Sequence, residues 1–434
     1  MTPLDLIHRL TWADLPSDVK HQTKRCLLDL IGIAAGAHHT KLGQIIRDIT
    51  PEIYGGSAPM LFDARTASPA GVALAGAMTI DALDGHDTYF PAKGHIGCPL
   101  FPAALALAHQ AGTDGRDFLT TIAMGYEFGA RAAEAQHGTV PDYHTSGSWG
   151  AVTAAAAGAR LMGLSRDQTR HAMGIAEYYA PRSQMMRCID FPTMLKDGSG
   201  WGSMTGVSAV QMAAKGFTGA PAITVEDAPD YWTDLGQDWR ILKQSFKAYP
   251  VCHWALAPVA GVLALARAHD LTAHQVDHIE VTTFHESVCL ATSRPTTTEQ
   301  AQYSTSFPCA VALVRGTITP QDLDGPSLKD PEILRLSEGL VMAESDYAND
   351  NFPAARLAKV TLVLKDGTRA EGDYMSPAWA HTDPPSDAEL RDKYHALADP
   401  VLGKSRAEAI ETALANLATT PLSALTELLF QPIN

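Results

Sequence analysis

The stretch "SWGAVTAAAAGARLMGL", residues 148–164, limits what this 434-residue chain can fold into more than any other feature. It is Ala, Gly and other apolar residues on nearly every side of a helical wheel. A helix of that kind has no polar face to give to water, so it must run inside a bundle with its neighbours at close range. The same texture recurs in "VKHQTKRCLLDLIGIAAGA", "GRDFLTTIAMGYEFGARAAEAQ" and "WGSMTGVSAVQMAAKGF". Ser165 and Gln168 bracket a capping-box pattern that opens a further helix. From about residue 17 to 220 the sequence therefore predicts packed helices.

The texture changes near residue 276. "HIEVTTFHESV" alternates Ile279, Val281 and Thr283 in the period of a half-buried strand. "AKVTLVLKDGTRAEGDYM" reads as two strands joined at Asp366-Gly367, a strong short hairpin signal. Between them "TSFPCAVALVRG" reads as a helix. The last 50 or so residues return to helix and are too few for a core of their own, so they are expected to dock on the first helices. The expected fold is mainly α: a large all-α domain from 1–242 and 381–434, interrupted by a smaller α+β domain over 243–380.

With 48 acidic and 33 basic side chains the net charge is −15, and no Lys/Arg stripe stands out. That argues against nucleic acid as a partner. An acidic protein binds a small anion only through a local cationic pocket, which the sequence should betray. Six scattered cysteines without a C-x-x-C pair fit reduced thiols and a cytoplasmic setting. The start, "MTPLDLIHRLTWADL", lacks the apolar region of a signal peptide. No run approaches the ~20 apolar residues of a membrane span.

"ALDGHDTYFPAKGHIGCP", residues 82–99, gathers Asp84, His86, Asp87, Thr88, Lys93 and His95 between two apolar segments. It can be read as a solvated loop, as a metal site using Asp84, His86, Asp87 and His95, or as the wall of an acid/base site. The spacing matches no one-face metal pattern, so no metal is expected. "SGSWG" lacks the first Gly of a nucleophile elbow, and "GSGWGSMTG" misses a dinucleotide fingerprint. Cys252 and His253 are neighbours, which normally point apart and form no dyad. Three further polar islands stand where helices begin: His144, then Lys196 among glycines, then Lys247 with His253. Helix starts favour anions, and Lys or His beside them suits carboxylates.

These islands carry a resemblance to the MmgE/PrpD family over nearly the whole chain. Leu83-Asp84-Gly85-His86-Asp87-Thr88 with Pro91 and His95 is similar to the family's LDxDDTxxPxxH stretch. His144 and Lys196 match its helix-opening His and Lys, and Lys247, Tyr249, Pro250 and Cys252 match its KxYPxC. "AQYSTSFPCAVALVRG" and "FPAARLAKVTLVLKDG" resemble its later segments. The chain departs from the pattern in four places. His86 replaces an acid, one residue is inserted before His95, Ile96-Gly97 replaces Pro-Ser, and His253 and Leu256 replace an Arg and a His.

The resemblance implies a helical domain carrying most of the site, with the α+β unit as a lid, in a homodimer needing no metal or organic cofactor. It implies Asp84, His95, His144 and Lys196 as catalytic groups. Thr88 and Lys247 would meet the substrate, with His86, His253 and Tyr249 as further contacts. A proton beside a carboxylate is very weakly acidic, and ammonium groups directed at that carboxylate stabilise the enediolate formed on its removal. A neutral imidazole, His95 first and His144 as its rival, can take or return that proton. The implied activity is a cofactor-independent lyase or isomerase of a small di- or tricarboxylate. Dehydration of the 2-methylcitrate type is placed first, with epimerisation or decarboxylation (iminodisuccinate or cis-aconitate type) as alternatives. A metal-dependent hydrolase, or a carboxylate binder without turnover, are readings from other classes.

Overall fold

The computed structural model describes residues 1–433 and is mainly helical. Helices Ser17–Gly36, Pro69–Asp81, Gly97–Ala111, Gly115–Thr139, Gly147–Leu161 and Ser199–Ala214 form the interior bundle that the Ala/Gly texture predicts. Their starts follow local chemistry. The Ser68 hydroxyl accepts the Gly71 N–H beside a Pro at the first helical position, and Ser165 with Gln168 closes the expected capping box. Close approach explains the glycines where helices Gly147–Leu161 and Ser199–Ala214 meet. A Cβ on Gly206 would stand 2.4 Å from the Ala154 Cβ, and one on Gly202 would stand 2.4 Å from the Gly147 carbonyl oxygen. The backbones touch, so dispersion contacts replace large side chains.

The C-terminal helices Asp387–Leu402 and Lys404–Asn416 pack on Ser17–Gly36. Leu390, Tyr394, Ala407 and Ile410 join the same apolar core as Leu27, Ile31 and Phe101. The Tyr394 hydroxyl donates to the Ala407 carbonyl at 2.9 Å, satisfying a polar tip buried in that seam.

A second core surrounds a four-stranded sheet in the order Val341–Glu344, Val276–Thr283, Ala358–Leu364, Arg369–Glu371. The first pair is parallel and the others antiparallel. Ile279, Val281 and Thr283 face inward as the alternation predicts, and Gly367, at φ +88°, makes the hairpin turn. The two apolar cores divide within 246–251. Phe246 belongs to the first core and Val251 opens the second, while Met185, Cys188 and Ile189 reach into the second from the helical half. The reason is a short pairing: Thr88–Tyr89 lies antiparallel to Gln244–Ser245 and holds that segment against the helices. None of the six cysteines is in a disulfide. No helix among the described residues is long and apolar enough to cross a membrane.

Candidate active site

The polar stretch after helix Pro69–Asp81 is not a solvated loop. Asp84, His86, Asp87, Thr88 and His95 are all buried. Thr88 pairs with Ser245, which brings Lys247 beside Asp84. The Lys247 Nζ donates to Asp84 Oδ1 at 2.5 Å and to the Asp84 carbonyl at 2.7 Å. From the C-terminal helix, Lys393 donates to the next carbonyl, that of Gly85, at 2.7 Å, and to Asp29 Oδ1 at 2.5 Å. Two buried ammoniums thus grip consecutive peptide groups of the turn, where Asp84 holds a positive φ of +49°. Burial alone would raise the Asp84 pKa, but Lys247, Lys196 and His95 outweigh it and keep the carboxyl below its ordinary value.

His95 sits in this wall with its tautomer fixed. Its Nδ1 lies 2.6 Å from the Asp87 carbonyl, which can only accept, so Nδ1 carries the proton and donates. In the neutral ring Nε2 is then the lone-pair nitrogen. It stands 3.8 Å from Asp84 Oδ1 and 3.9 Å from Asp197 Oδ2, too far for a hydrogen bond to either. Burial, followed by repulsion from Lys247, pulls the His95 pKa down to about 3, so the ring is neutral across the physiological range. The backbone holds as well: the His95 N–H donates to Ser146 Oγ, whose hydroxyl donates to Asp197, and Trp149 Nε1 donates to the His95 carbonyl. Burial pushes the Asp197 carboxyl above its ordinary value against the Ser146 hydrogen bond.

A cavity of about 20 Å³ lies in front of Nε2, room for a single water-sized molecule. Its lining includes Asp84, Thr88, His95 and Asp197 from the helical half and Lys247, Cys252, His253, Tyr303 and Arg356 from the remainder.

Not every expected site residue faces this cavity. Lys196 is buried just behind it, with Nζ 4.7 Å over the Tyr303 ring and donating to the Gln302 side-chain oxygen. His86 stacks obliquely on His95, ring centroids 4.0 Å apart, and both its ring nitrogens are without partners among the described residues. His144 does not line the cavity: its Nδ1 turns back to the Asp142 carbonyl at 2.8 Å and its backbone bridges to Gln184. Tyr249 lines a separate cleft with Pro250 and Thr317, because the YPxC turn sends the tyrosine and the cysteine to different sides. Cys252 and His253 both line the cavity, where a 3-10 turn begins at His253, and neither ring nitrogen of His253 has a partner among the described residues. Burial raises the Cys252 thiol to about 12, so it is no thiolate nucleophile.

The metal set Asp84, His86, Asp87 and His95 does not assemble. Among the described residues the one donor group close enough to share an ion is Asp81, His86 and Cys98, which retains only His86 of that set and lies off the cavity lining. Asp197, Tyr303 and Arg356 were not anticipated as site residues. Each lies within or beside a motif singled out for other reasons: the Lys196 island, AQYS, and FPAAR.

Together these groups form a buried site with a neutral base, flanking carboxylates and several cations, a combination suited to moving a proton next to an anionic group. The profile of the MmgE/PrpD N-terminal domain matches residues 4–229 and that of the C-terminal domain matches residues 249–419, and the chain belongs to the MmgE/PrpD family. It is 23% identical to a cis-aconitate decarboxylase-like protein of Aspergillus oryzae, over 94% of this chain and 92% of that one. It is 24% identical to the cis-aconitate decarboxylase of Aspergillus terreus, over 97% and 93% of the two chains. The corresponding mouse enzyme is 24% identical over 98% of this chain and 92% of its own.

Proposed function

We propose that the protein is a cofactor-independent lyase or isomerase that moves a proton on the carbon beside a carboxylate of a small di- or tricarboxylate. The observation that carries this reading is the neutral Nε2 of His95, without a hydrogen bond, set between two carboxylates at a small buried cavity. Nε2 takes the carbon proton and becomes an imidazolium. Asp84 and Asp197, just under 4 Å away, stabilise that new charge. The electron pair moves into the substrate carboxylate, whose developing charge the Lys247 ammonium attracts, with Lys196 adding positive charge from behind the cavity wall. Thr88 Oγ1 offers a hydroxyl from the same wall.

Departure of the β-hydroxyl as water, with the proton returned from the His95 imidazolium, then completes a dehydration, the reaction placed first. Decarboxylation is the second reading, favoured by the relatives' activity. There the site must deliver a proton to carbon, and Asp197, its proton held by burial, is a nearby source. To separate them, purified protein is incubated with cis-aconitate and with 2-methylcitrate and followed by NMR, with and without EDTA. Water loss from the hydroxy acid supports dehydration, and CO₂ release from cis-aconitate supports decarboxylation. Either is expected to survive chelation, and activity abolished by EDTA and restored by a metal ion would return the hydrolase reading. Light scattering of the same preparation should give the mass of two chains. Tyr178, Tyr179, Phe191, Leu195 and Trp201 are exposed and offer apolar surface for a partner copy.

The pH profile follows from Asp197. In the dehydration reading the carboxylate must be ionised to stabilise the imidazolium, so the rate falls as pH drops through its native pKa. Burial raises that pKa, so the acid limb of kcat/KM lies above the range of an ordinary carboxylate. Asp197→Asn lowers the rate and abolishes that limb. An acid limb unchanged in the variant rules Asp197 out as its source.

A further inference from the structure

We propose that Arg356, with His253, forms a subsite for a second carboxylate of the substrate, separate from Lys247, which lines the same cavity beside Asp84. The inference rests on the polycarboxylate reading above and adds where the second anionic group goes. Arg356 lines the cavity and is almost wholly buried at 1% exposure. Its guanidinium carbon lies 4.3 Å from the centroid of the Phe90 ring, a cation–π contact that uses none of its N–H groups. The atoms left without partners among the described residues are Nε and Nη2, the pair that makes the side-on, two-bond fork to a carboxylate.

The other buried cations of the site are already engaged. Lys247 is held by the carboxylate and carbonyl of Asp84, and Lys196 by Gln302. Half-buried Lys93 lies over the Tyr143 ring at 4.2 Å. A buried guanidinium with an unpaired edge is costly to maintain, and an anion arriving in the cavity removes that cost. His253 meets the same Phe90 ring edge-on at 5.0 Å, with both ring nitrogens unpartnered among the described residues. Burial, then the charge of Arg356, keeps it neutral. A neutral imidazole always carries one N–H, so it adds a donor without adding charge. The pair therefore selects a substrate with at least two carboxylates, one on the Arg356 fork while the other lies at Lys247.

Titration calorimetry with tricarballylate, succinate and butyrate tests this on the full chain. Wild type should bind the first two more tightly than butyrate. In Arg356→Gln, with circular dichroism matching wild type, tricarballylate and succinate should weaken by about 10-fold or more while butyrate is unchanged, since a charged hydrogen-bonded contact is lost. If that variant does not fold, Arg356→Lys keeps the charge and stem but loses the fork, and succinate binding should still weaken several-fold. Wild-type affinity for succinate in a folded Arg356 variant overturns the subsite alone. Wild type that binds none of the three acids overturns the polycarboxylate reading and the subsite with it.

Discussion

His95→Gln should lower kcat by about 10²-fold or more and leave KM nearly unchanged, the pattern expected when general acid–base catalysis is lost. The glutamine amide still donates to the Asp87 carbonyl that now holds Nδ1–H at 2.6 Å, so the wall keeps its shape. What disappears is the lone pair at Nε2. His144→Gln should act weakly by comparison, since that ring turns to the Asp142 carbonyl and does not line the cavity. Steady-state kinetics on both variants check the ranking. A collapse in His144→Gln alone would mean that the two imidazoles have exchanged roles.

Lys247→Ala should be damaging in two ways. As a partner for the substrate carboxylate in both ground and transition states, its loss raises KM and lowers kcat. As the partner of Asp84, its loss leaves a buried carboxylate unpaired, which costs about 3–5 kcal/mol of stability. Because Lys247 also holds the Asp84 carbonyl, the positive-φ turn beneath His95 loosens as well. Thermal unfolding should show a clear drop for Lys247→Ala and a partial recovery in the double variant with Asp84→Asn, which removes the stranded charge. Equal melting temperatures for wild type and Lys247→Ala would show that the ion pair adds nothing to the fold.

The sequence made the helical bundle readable because small residues at helical spacing have few other uses, and "SWGAVTAAAAGARLMGL" packs as that argument requires. The hairpin at Asp366-Gly367 was legible for an equally local reason, the turn's need for a positive φ. Long-range pairings were not legible. Nothing in the neighbourhood of Gln244–Ser245 announces that it pairs with Thr88–Tyr89, yet that contact sets both the divide between the cores and the Lys247–Asp84 pair. The density of titratable groups pointed to a loop that the fold buries beside a cavity, but side-chain direction escaped it. His144 and Tyr249 share the site's motifs without facing its cavity. Arg356 looked like one more charge ahead of a strand, and only the fold shows its edge unpartnered.

The central claim is that His95 moves a proton on the carbon beside a substrate carboxylate, and solvent-deuterium exchange reads that step directly. Wild-type protein and His95→Gln are incubated in D₂O with 2-methylcitrate, cis-aconitate and iminodisuccinate, and deuterium at the carbon beside the carboxylate is followed by NMR. The account predicts incorporation into at least one acid with wild type and its loss in His95→Gln, while His144→Gln keeps it. Undiminished incorporation with His95→Gln, or none with wild type and any of the three acids, would contradict it.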